Sequence, residues 1–170
     1  EHALNSKLKL LYSAEYARQR DYGVNPRNFA LDYALAEGGI GFGPASVRLG
    51  WERLEGNGVS AVQTPLATLH AFNGWADKFL TTPANGLRDV YIDLGYRLTA
   101  KGPLKGTSFR VAWHDFRATQ GNVHYGQEWN ASLAWAFAPK WNAMLKLADY
   151  RADDIGFDVR KTWISVEYVY

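Results

Sequence analysis

Cysteine is absent from the 170 residues, which excludes disulfide frameworks and thiolate metal sites. A long apolar run is also missing, because no stretch approaches the roughly 18 consecutive apolar residues of a membrane-spanning helix. The charge is nearly balanced: 19 Lys and Arg stand against 17 Asp and Glu, a net charge of +2. This small excess, without a long basic run, predicts that nucleic acid is not a partner.

Aromatic residues are abundant, at 15% of the chain with seven Trp and ten Tyr. The length and the 47% hydrophobic content indicate one ordered domain over residues 1–170. The mean hydropathy of −0.31 fits membrane strands, in which apolar and polar residues alternate. Glu1 is not a start methionine and no charged-then-apolar leader follows it, so we expect a removed signal peptide or a piece of a longer chain.

Apolar and polar residues alternate with period two in eight segments of about 10 to 14 residues, separated by turn residues. Such lengths exceed those of ordinary soluble strands and are typical of tilted strands that cross a bilayer. The fold class predicted is all-β, an antiparallel transmembrane β-barrel with eight strands in this chain. The segments are 7–20, 29–42, 46–54, 87–100, 107–118, 124–138, 141–152 and 157–170.

One side of each segment is apolar and rich in aromatics, whereas the other carries charged or small residues. We predict that the apolar side faces lipid and that the charged side faces the barrel interior. In 29–42 the predicted outward residues are Phe29, Leu31, Tyr33 and Leu35, before a bulge or bend at Glu37-Gly38-Gly39. The predicted inward, pore-lining residues are Lys9, Glu15, Asp32, Arg48, Glu52, Asp93, Arg97, Arg110, His114, Glu128, Lys146, Lys161 and Glu167.

Two interpretations of these inward residues stay open. In a narrow barrel they would form a plug of ion pairs, and in a wide one they would line an aqueous channel. Apart from His114 they are six bases and six acids, which predicts no strong selectivity for anions or cations. A soluble barrel or sandwich is the alternative fold, although its small interior would be overfilled by the many Trp and Tyr.

The connections between segments alternate in length. Three are short and contain Pro, as expected of periplasmic turns, and the others fit loops outside the cell. This topology sorts the outward aromatics into two girdles. The periplasmic girdle would contain Phe42, Tyr96, Phe109, Phe137, Trp141, Tyr168 and Tyr170, and the outer girdle Tyr16, Phe29, Trp51, Trp113 and Trp129.

The connection at about 55–86 is predicted to be a long extracellular loop. Its apolar residues predict that it folds into the barrel mouth or packs on neighbouring loops. His70, Phe72, Trp75 and Lys78 are the candidate constriction residues, with simple packing as the alternative. Basic residues at the outer surface could meet lipopolysaccharide phosphates; they are Arg18, Arg20, Arg27, Lys78 and Arg117.

Patterns for catalysis and for metal binding are absent from the sequence. His114 and His124 have no nucleophile at a useful spacing, and neither a Gly-x-Ser-x-Gly nor a His-Glu-x-x-His motif occurs. The glycine-rich stretch 38–43 lacks the lysine of a phosphate loop. We therefore predict a protein that is not an enzyme and that has no cofactor and no metal.

Residues 70–79 (HAFNGWADKF) and 82–89 (TPANGLRD) carry a resemblance to a known family. Together with the strands after them and the aromatic C-terminus, they resemble the alginate export family of outer-membrane porins. The resemblance implies barrels of about eighteen strands, of which this chain is the C-terminal portion, with a basic lumen for an anionic polysaccharide. It also implies outer-membrane lipid as the surroundings and the barrel assembly machinery as a partner of the last strand.

The predicted function is therefore a porin-like channel in the bacterial outer membrane for export or uptake of a polar or anionic solute. The balanced inward charge departs from a basic lumen, so the solute stays open. The alternative is a complete eight-stranded barrel that acts as an anchor or as a lipopolysaccharide-binding interaction protein. A third class is a small lipid A-modifying barrel enzyme.

Overall fold

A computed structural model describes residues 1–3, 7–64, 73–99 and 101–170 of the chain. All regular structure in these residues is β-strand. The strands are β1 (His2–Ala3), β2 (Leu8–Arg20), β3 (Ala30–Phe42), β4 (Ala45–Leu54), β5 (Leu87–Arg97), β6 (Ser108–Arg117), β7 (His124–Ala138), β8 (Trp141–Ala152) and β9 (Val159–Tyr168). None of the described residues forms a helix long and apolar enough to cross a membrane.

The nine strands form one antiparallel sheet in chain order, in which each strand pairs with the next. The sheet is open in the described chain, since β9 pairs only with β8. On the other side β2 has only the two-residue β1 beside it, at Leu10 and Lys9. Most of β2 and all of β9 therefore present an unpaired edge.

The predicted all-β antiparallel architecture is confirmed, and each of the eight predicted segments contains one long strand. The ends agree within a few residues: segment 141–152 coincides with β8, and segment 87–100 overruns β5, which ends at Arg97. The short β1 was not predicted. A closed barrel is not observed, because the order of the sheet ends at β1 and at β9.

Of the bulge or bend predicted at Glu37-Gly38-Gly39, the bulge is wrong, since β3 pairs in unbroken register with both neighbours. Glycine serves close packing there instead. A Cβ on Gly39 would lie 2.3 Å from the carbonyl oxygen of Val47, so a larger residue would force the two strands apart. Register shifts occur elsewhere, between Phe116 and Arg117 of β6 and between Ala136 and Ala138 of β7.

One end of the sheet has short turns. Gly43-Pro44 joins β3 to β4 and Pro139-Lys140 joins β7 to β8, with Gly43 (φ 54°) and Lys140 (φ 68°) in the left-handed region. We call this the turn end. The ten-residue connection 98–107 between β5 and β6 also leaves the turn end and is longer than the short turn predicted there. The connections 21–29, 55–86, 118–123 and 153–158 leave the opposite end, which we call the loop end.

The hydrophobic core lies at the loop end, between one face of the sheet and the 55–86 connection. Phe116, Leu87 and Tyr150 are fully buried there, and Trp75 and Ala76 of the connection pack into the same cluster. The prediction that this connection folds against the rest of the chain is therefore met in its described part. The middle and the turn end of the sheet have no comparable layer over them among the described residues.

Candidate functional site

The strand register sorts the side chains into two faces, because directly paired residues project to the same side. Arg48 pairs with Asp93, Glu52 with Asp89, and His114 with Glu128. We call the side that carries these residues the ionic face and the opposite side the apolar face.

The predicted inward residues fall on one side of the sheet with a single exception. Asp32 lies on the apolar face, where it pairs with Arg18 and accepts a hydrogen bond of 3.0 Å from the Tyr16 hydroxyl. The prediction that Asp32 faces inward is wrong. The ionic face carries the other twelve, namely Lys9, Glu15, Arg48, Glu52, Asp93, Arg97, Arg110, His114, Glu128, Lys146, Lys161 and Glu167.

The misassigned face of Asp32 follows from the missing bulge in β3. With an unbroken register, Ile40 and Phe42 lie on the apolar face at the turn end, and Leu31 and Tyr33 lie on the ionic face at the loop end. Leu31 and Tyr33 are buried in the core, and Phe29 and Leu35 are packed against it. The outward positions predicted for these four residues, including Phe29 in the outer girdle, are therefore wrong.

The apolar face is exposed along most of its length. Leu94 is 46% exposed, Leu145 39% and Ile164 79%, and no described segment covers them. At the turn end the exposed aromatics predicted there are Phe42, Tyr96, Phe109, Phe137, Trp141, Tyr168 and Tyr170. Toward the loop end they are Tyr16, Trp51 and Trp129, with Trp113 half-buried beside them.

Glu128 anchors the 55–86 connection to the ionic face. It is fully buried, and its Oε1 accepts the backbone N–H groups of Trp75 at 2.5 Å and of Ala76 at 2.8 Å. Asn73 and Gly74, both in the left-handed region, turn the chain so that these two N–H groups point to the carboxylate. Two donors on one buried carboxylate hold this part of the connection down on the sheet.

A second carboxylate, Glu52, is bound from both sides. Its Oε1 accepts the Tyr33 hydroxyl at 2.9 Å and its Oε2 accepts Asn73 Nδ2 at 2.8 Å. Next to it, buried Asp89 lies 2.9 Å from His114 Nδ1. Glu52, Asp89 and Glu128 at the loop end are therefore occupied by internal partners and are buried.

Two of the four predicted constriction residues are described. The indole of Trp75 lies against two cations of the ionic face, with Lys146 Nζ 4.3 Å and the Arg110 guanidinium 5.5 Å from ring centroids. Lys78 packs on the Phe157 ring at 3.9 Å, in the neighbouring loop. His70 and Phe72 lie outside the described residues.

Toward the turn end the ionic face is open and basic. Arg48 and Arg97 are exposed and have no ion-pair partner among the described residues, whereas Arg110 bonds Asp93 at 2.5 Å. These four side chains line a groove of about 470 Å³ together with Ser46, Ser108 and Ser132. Arg48, Asp93 and Arg110 also border a cavity of about 300 Å³ that reaches to Trp75.

Several residues of the ionic face were not predicted. Asp89 follows the same alternation as Asp93, so its position in the segment was sufficient to find it, whereas Glu37 lies in β3, whose faces were misassigned. Asn73 and Asp77 lie in the connection, where periodicity has no meaning. Asp77 Oδ2 accepts a hydrogen bond from Lys161 at 2.8 Å, a contact between residues 84 positions apart.

The basic residues predicted at the outer surface lie at the loop end. Arg18 faces Asp32 at 3.7 Å and Arg117 bonds Asp115 at 2.8 Å. Arg20 and Arg27 are exposed, in β2 and in the connection after it.

The chain matches no protein-family model, no curated protein and no solved structure. The two faces of the sheet are therefore the features that bear on function.

Proposed function

We propose that the chain forms part of the wall of a porin-like channel in the bacterial outer membrane. In this proposal the apolar face contacts acyl chains and the ionic face lines the water-filled interior. The observation that carries it is the continuous exposed apolar face opposite a face with twelve ionisable residues predicted to line a pore. Large contiguous apolar patches that are exposed mark surfaces that contact a membrane or another protein.

The ionic face and the edges of the sheet favour a wide channel. Interiors of eight-stranded barrels are filled by their own side chains. Here Trp75 and Ala76 add a further layer on that face. The edges of β2 and β9 are also unpaired, and unpaired backbone groups do not occur in the hydrocarbon layer. Both features favour a sheet that is one part of a wider wall, with further strands beside β2 and β9.

The distribution of charge favours an anionic solute. Glu52 and Glu128 are buried and hydrogen-bonded, and Asp93 is bonded to Arg110, so these acids contribute little charge to the open groove. Arg48 and Arg97 remain exposed in it. Asp32 lies on the other face, so the ionic face carries six of the predicted bases and five of the predicted acids. Three of these acids are bonded and two, Glu15 and Glu167, are exposed, while Arg48 and Arg97 stay accessible at the turn end. The solute class proposed is a polar anion, with a polysaccharide such as alginate as the candidate.

Single-channel recording in planar bilayers tests this function. The 170-residue chain is refolded from urea into detergent micelles, where copies can join along the edges of β2 and β9 to close a wider wall. The assembled samples are inserted and recorded in symmetric KCl. A persistent conductance that falls when an oligomeric uronate is added supports the proposal. A chain that folds and inserts without any conductance would overturn it and favour the anchor or interaction protein. Mass spectrometry of lipid A from expressing cells checks the proposed absence of catalysis, since an altered lipid A mass would favour the enzyme.

A further inference from the structure

Three arginines lie side by side on the apolar face at the loop end. Arg53 of β4 pairs directly with Arg88 of β5, and Arg88 pairs directly with Arg117 of β6. Side chains opposite each other on neighbouring strands start about 5 Å apart, and like charges at such positions destabilise a sheet. A row of three cations is therefore unfavourable unless anions lie among them.

The chain supplies anions for only two of the three. Arg53 Nη2 lies 3.0 Å from Glu55 Oε1, and Arg117 Nε lies 2.8 Å from Asp115 Oδ2. Arg88, the central one, has no carboxylate partner among the described residues, and its buried Nε has no hydrogen-bond acceptor. The other guanidinium nitrogens of this half-buried side chain are the ones that an acceptor from outside the chain can reach.

The two carboxylates are not available to Arg88, because both have other donors. Glu55 Oε2 accepts the backbone N–H of Asp32 at 2.8 Å. Asp115 Oδ1 lies 2.8 Å from His124 Nε2. The centre of the row is thus a site of uncompensated positive charge.

The position of the row identifies the source of the anion. The next paired residues on the same face, toward the turn end, are Trp51 and Val90. Both side chains are exposed. The following pair is Leu49 and Ile92. A ligand that meets both the arginines and this apolar surface must have a negatively charged head and a hydrocarbon body. Two residues along a strand span about 7 Å, the depth that separates a headgroup from the first acyl carbons.

We propose that Arg53, Arg88 and Arg117 bind a phosphate group on the head of a membrane lipid. Arginine suits this ligand because its planar guanidinium binds two phosphate oxygens at once. The site rests on the proposed function in one respect, since it needs the apolar face to lie in lipid. Among these three arginines the sequence predicted a lipid contact for Arg117 only, and this site adds Arg53 and Arg88 to it. The site lies on the opposite side of the sheet from the solute groove.

The test is a titration of the full chain, folded in dodecyl maltoside micelles, with diphosphorylated lipid A. Binding is followed by native mass spectrometry and by tryptophan fluorescence, since Trp51 lies beside the row. Arg88→Gln should weaken the affinity about tenfold, the loss of one charge-assisted bidentate contact. Arg88→Lys should keep part of the affinity for lipid A, because the positive charge remains. Arg160→Gln is the control, because Arg160 lies on the same face but is bonded to Asp149 at 2.8 Å, and it should change the affinity less than twofold.

Two further ligands separate the sources of the phosphate. Dephosphorylated lipid A should bind at least tenfold more weakly than the diphosphorylated form, and millimolar inorganic phosphate should not compete. Equal competition by inorganic phosphate would overturn the lipid assignment, and equal affinities of the wild type, Arg88→Gln and Arg88→Lys would overturn the site. If Arg88→Gln does not fold, the comparison rests on Arg88→Lys and Arg117→Gln.

Bilayer insertion is measured on the same samples. A chain that inserts and conducts but binds lipid A regardless of Arg88 refutes the phosphate site alone. A chain that does not insert refutes the membrane orientation and, with it, both proposals.

Discussion

Glu128 and Trp75 are separated by 53 positions in the sequence, yet the Glu128 carboxylate accepts the Trp75 backbone N–H at 2.5 Å. This contact and its neighbour at Ala76 fix the 55–86 connection on the ionic face.

Removing the anchor should loosen the connection. Glu128→Ala leaves the buried N–H groups of Trp75 and Ala76 without an acceptor and should lower the free energy of unfolding by about 3 kcal/mol. Urea titration in micelles measures it, and hydrogen exchange at the two amides should accelerate. Glu167→Ala, an exposed acid on the same face, should change stability by less than about 0.5 kcal/mol. Unchanged exchange in Glu128→Ala would contradict the anchor.

Gly74 lies directly over the same carboxylate. A Cβ at this position would be 2.5 Å from Glu128 Oε2, and Gly74 has a φ of 82°. Gly23 (φ 64°) is the matched control, because nothing lies within 4 Å of its Cβ position. Gly23→Ala should cost about 1 kcal/mol for backbone strain alone. Gly74→Ala should lower the free energy of unfolding by about 2 kcal/mol more than Gly23→Ala, because it also displaces the Glu128 carboxylate. Equal losses of stability would show that the clash is relieved without cost.

Neighbouring residues of β8 separate the two faces. Leu145 projects to the apolar face and Met144 to the ionic face, and both are exposed. In a bilayer Leu145→Arg should reduce folding stability by about 2 to 4 kcal/mol, whereas Met144→Arg should be tolerated because its charge meets water. Gel mobility of the folded form in phosphatidylcholine vesicles gives the folded fraction. The reverse ranking would show that lipid contacts the ionic face.

Charge reversal should change the ion selectivity of the channel. Arg48→Glu and Arg97→Glu add negative charge to the groove and should each shift the reversal potential in a KCl gradient toward cations. Arg110→Glu should shift it in the same direction, with lower stability because Asp93 loses its partner. Arg20→Glu on the apolar face should have a much smaller effect. An unchanged reversal potential for Arg48→Glu and Arg97→Glu would place both outside the conducting path.

The contacts of Asp158 in the loop before β9 should be lost at low pH. The backbone N–H of Ala152 donates to Asp158, and the Arg151 guanidinium lies 3.0 Å away, so the pKa of Asp158 lies below its usual value. The stabilisation of the loop is then fully present above about pH 3.9, the ordinary pKa of Asp, and is lost as the pH falls through the lower folded pKa. The NMR shift of the Ala152 amide reports this midpoint, and Asp158→Asn should abolish the titration. A midpoint at or above pH 3.9 would contradict the contact.

The strands could be predicted because alternation is a local property. Segment 141–152 matches β8, and the face of every long strand except β3 was correctly assigned. In β3 apolar residues occur on both sides, with Leu31 and Tyr33 on the ionic face and Ile40 and Phe42 on the apolar face. Hydrophobicity alone cannot fix the face of such a strand, and three residues with little apolar surface, Glu37 to Gly39, suggested a bulge instead.

The candidate site was predictable only where it lies on strands. Arg48 and Glu52 follow from alternation, but the donors that occupy Glu52 do not. Asn73 reaches it from a connection without periodicity, and Tyr33 comes from the strand whose face was misjudged. The same long-range contacts bond Glu52 and Glu128 at the loop end, whereas Arg48 and Arg97 at the turn end stay accessible. A count of charges along the sequence contains none of this information.

The unpaired edges of β2 and β9 determine how the isolated chain behaves in water. Each edge presents unpaired backbone donors and acceptors next to the apolar face, and a second molecule can extend the sheet there. Expressed without a signal for export, the polypeptide should collect in inclusion bodies as stacked ribbons. Soluble material should be obtained only by dilution from denaturant into detergent.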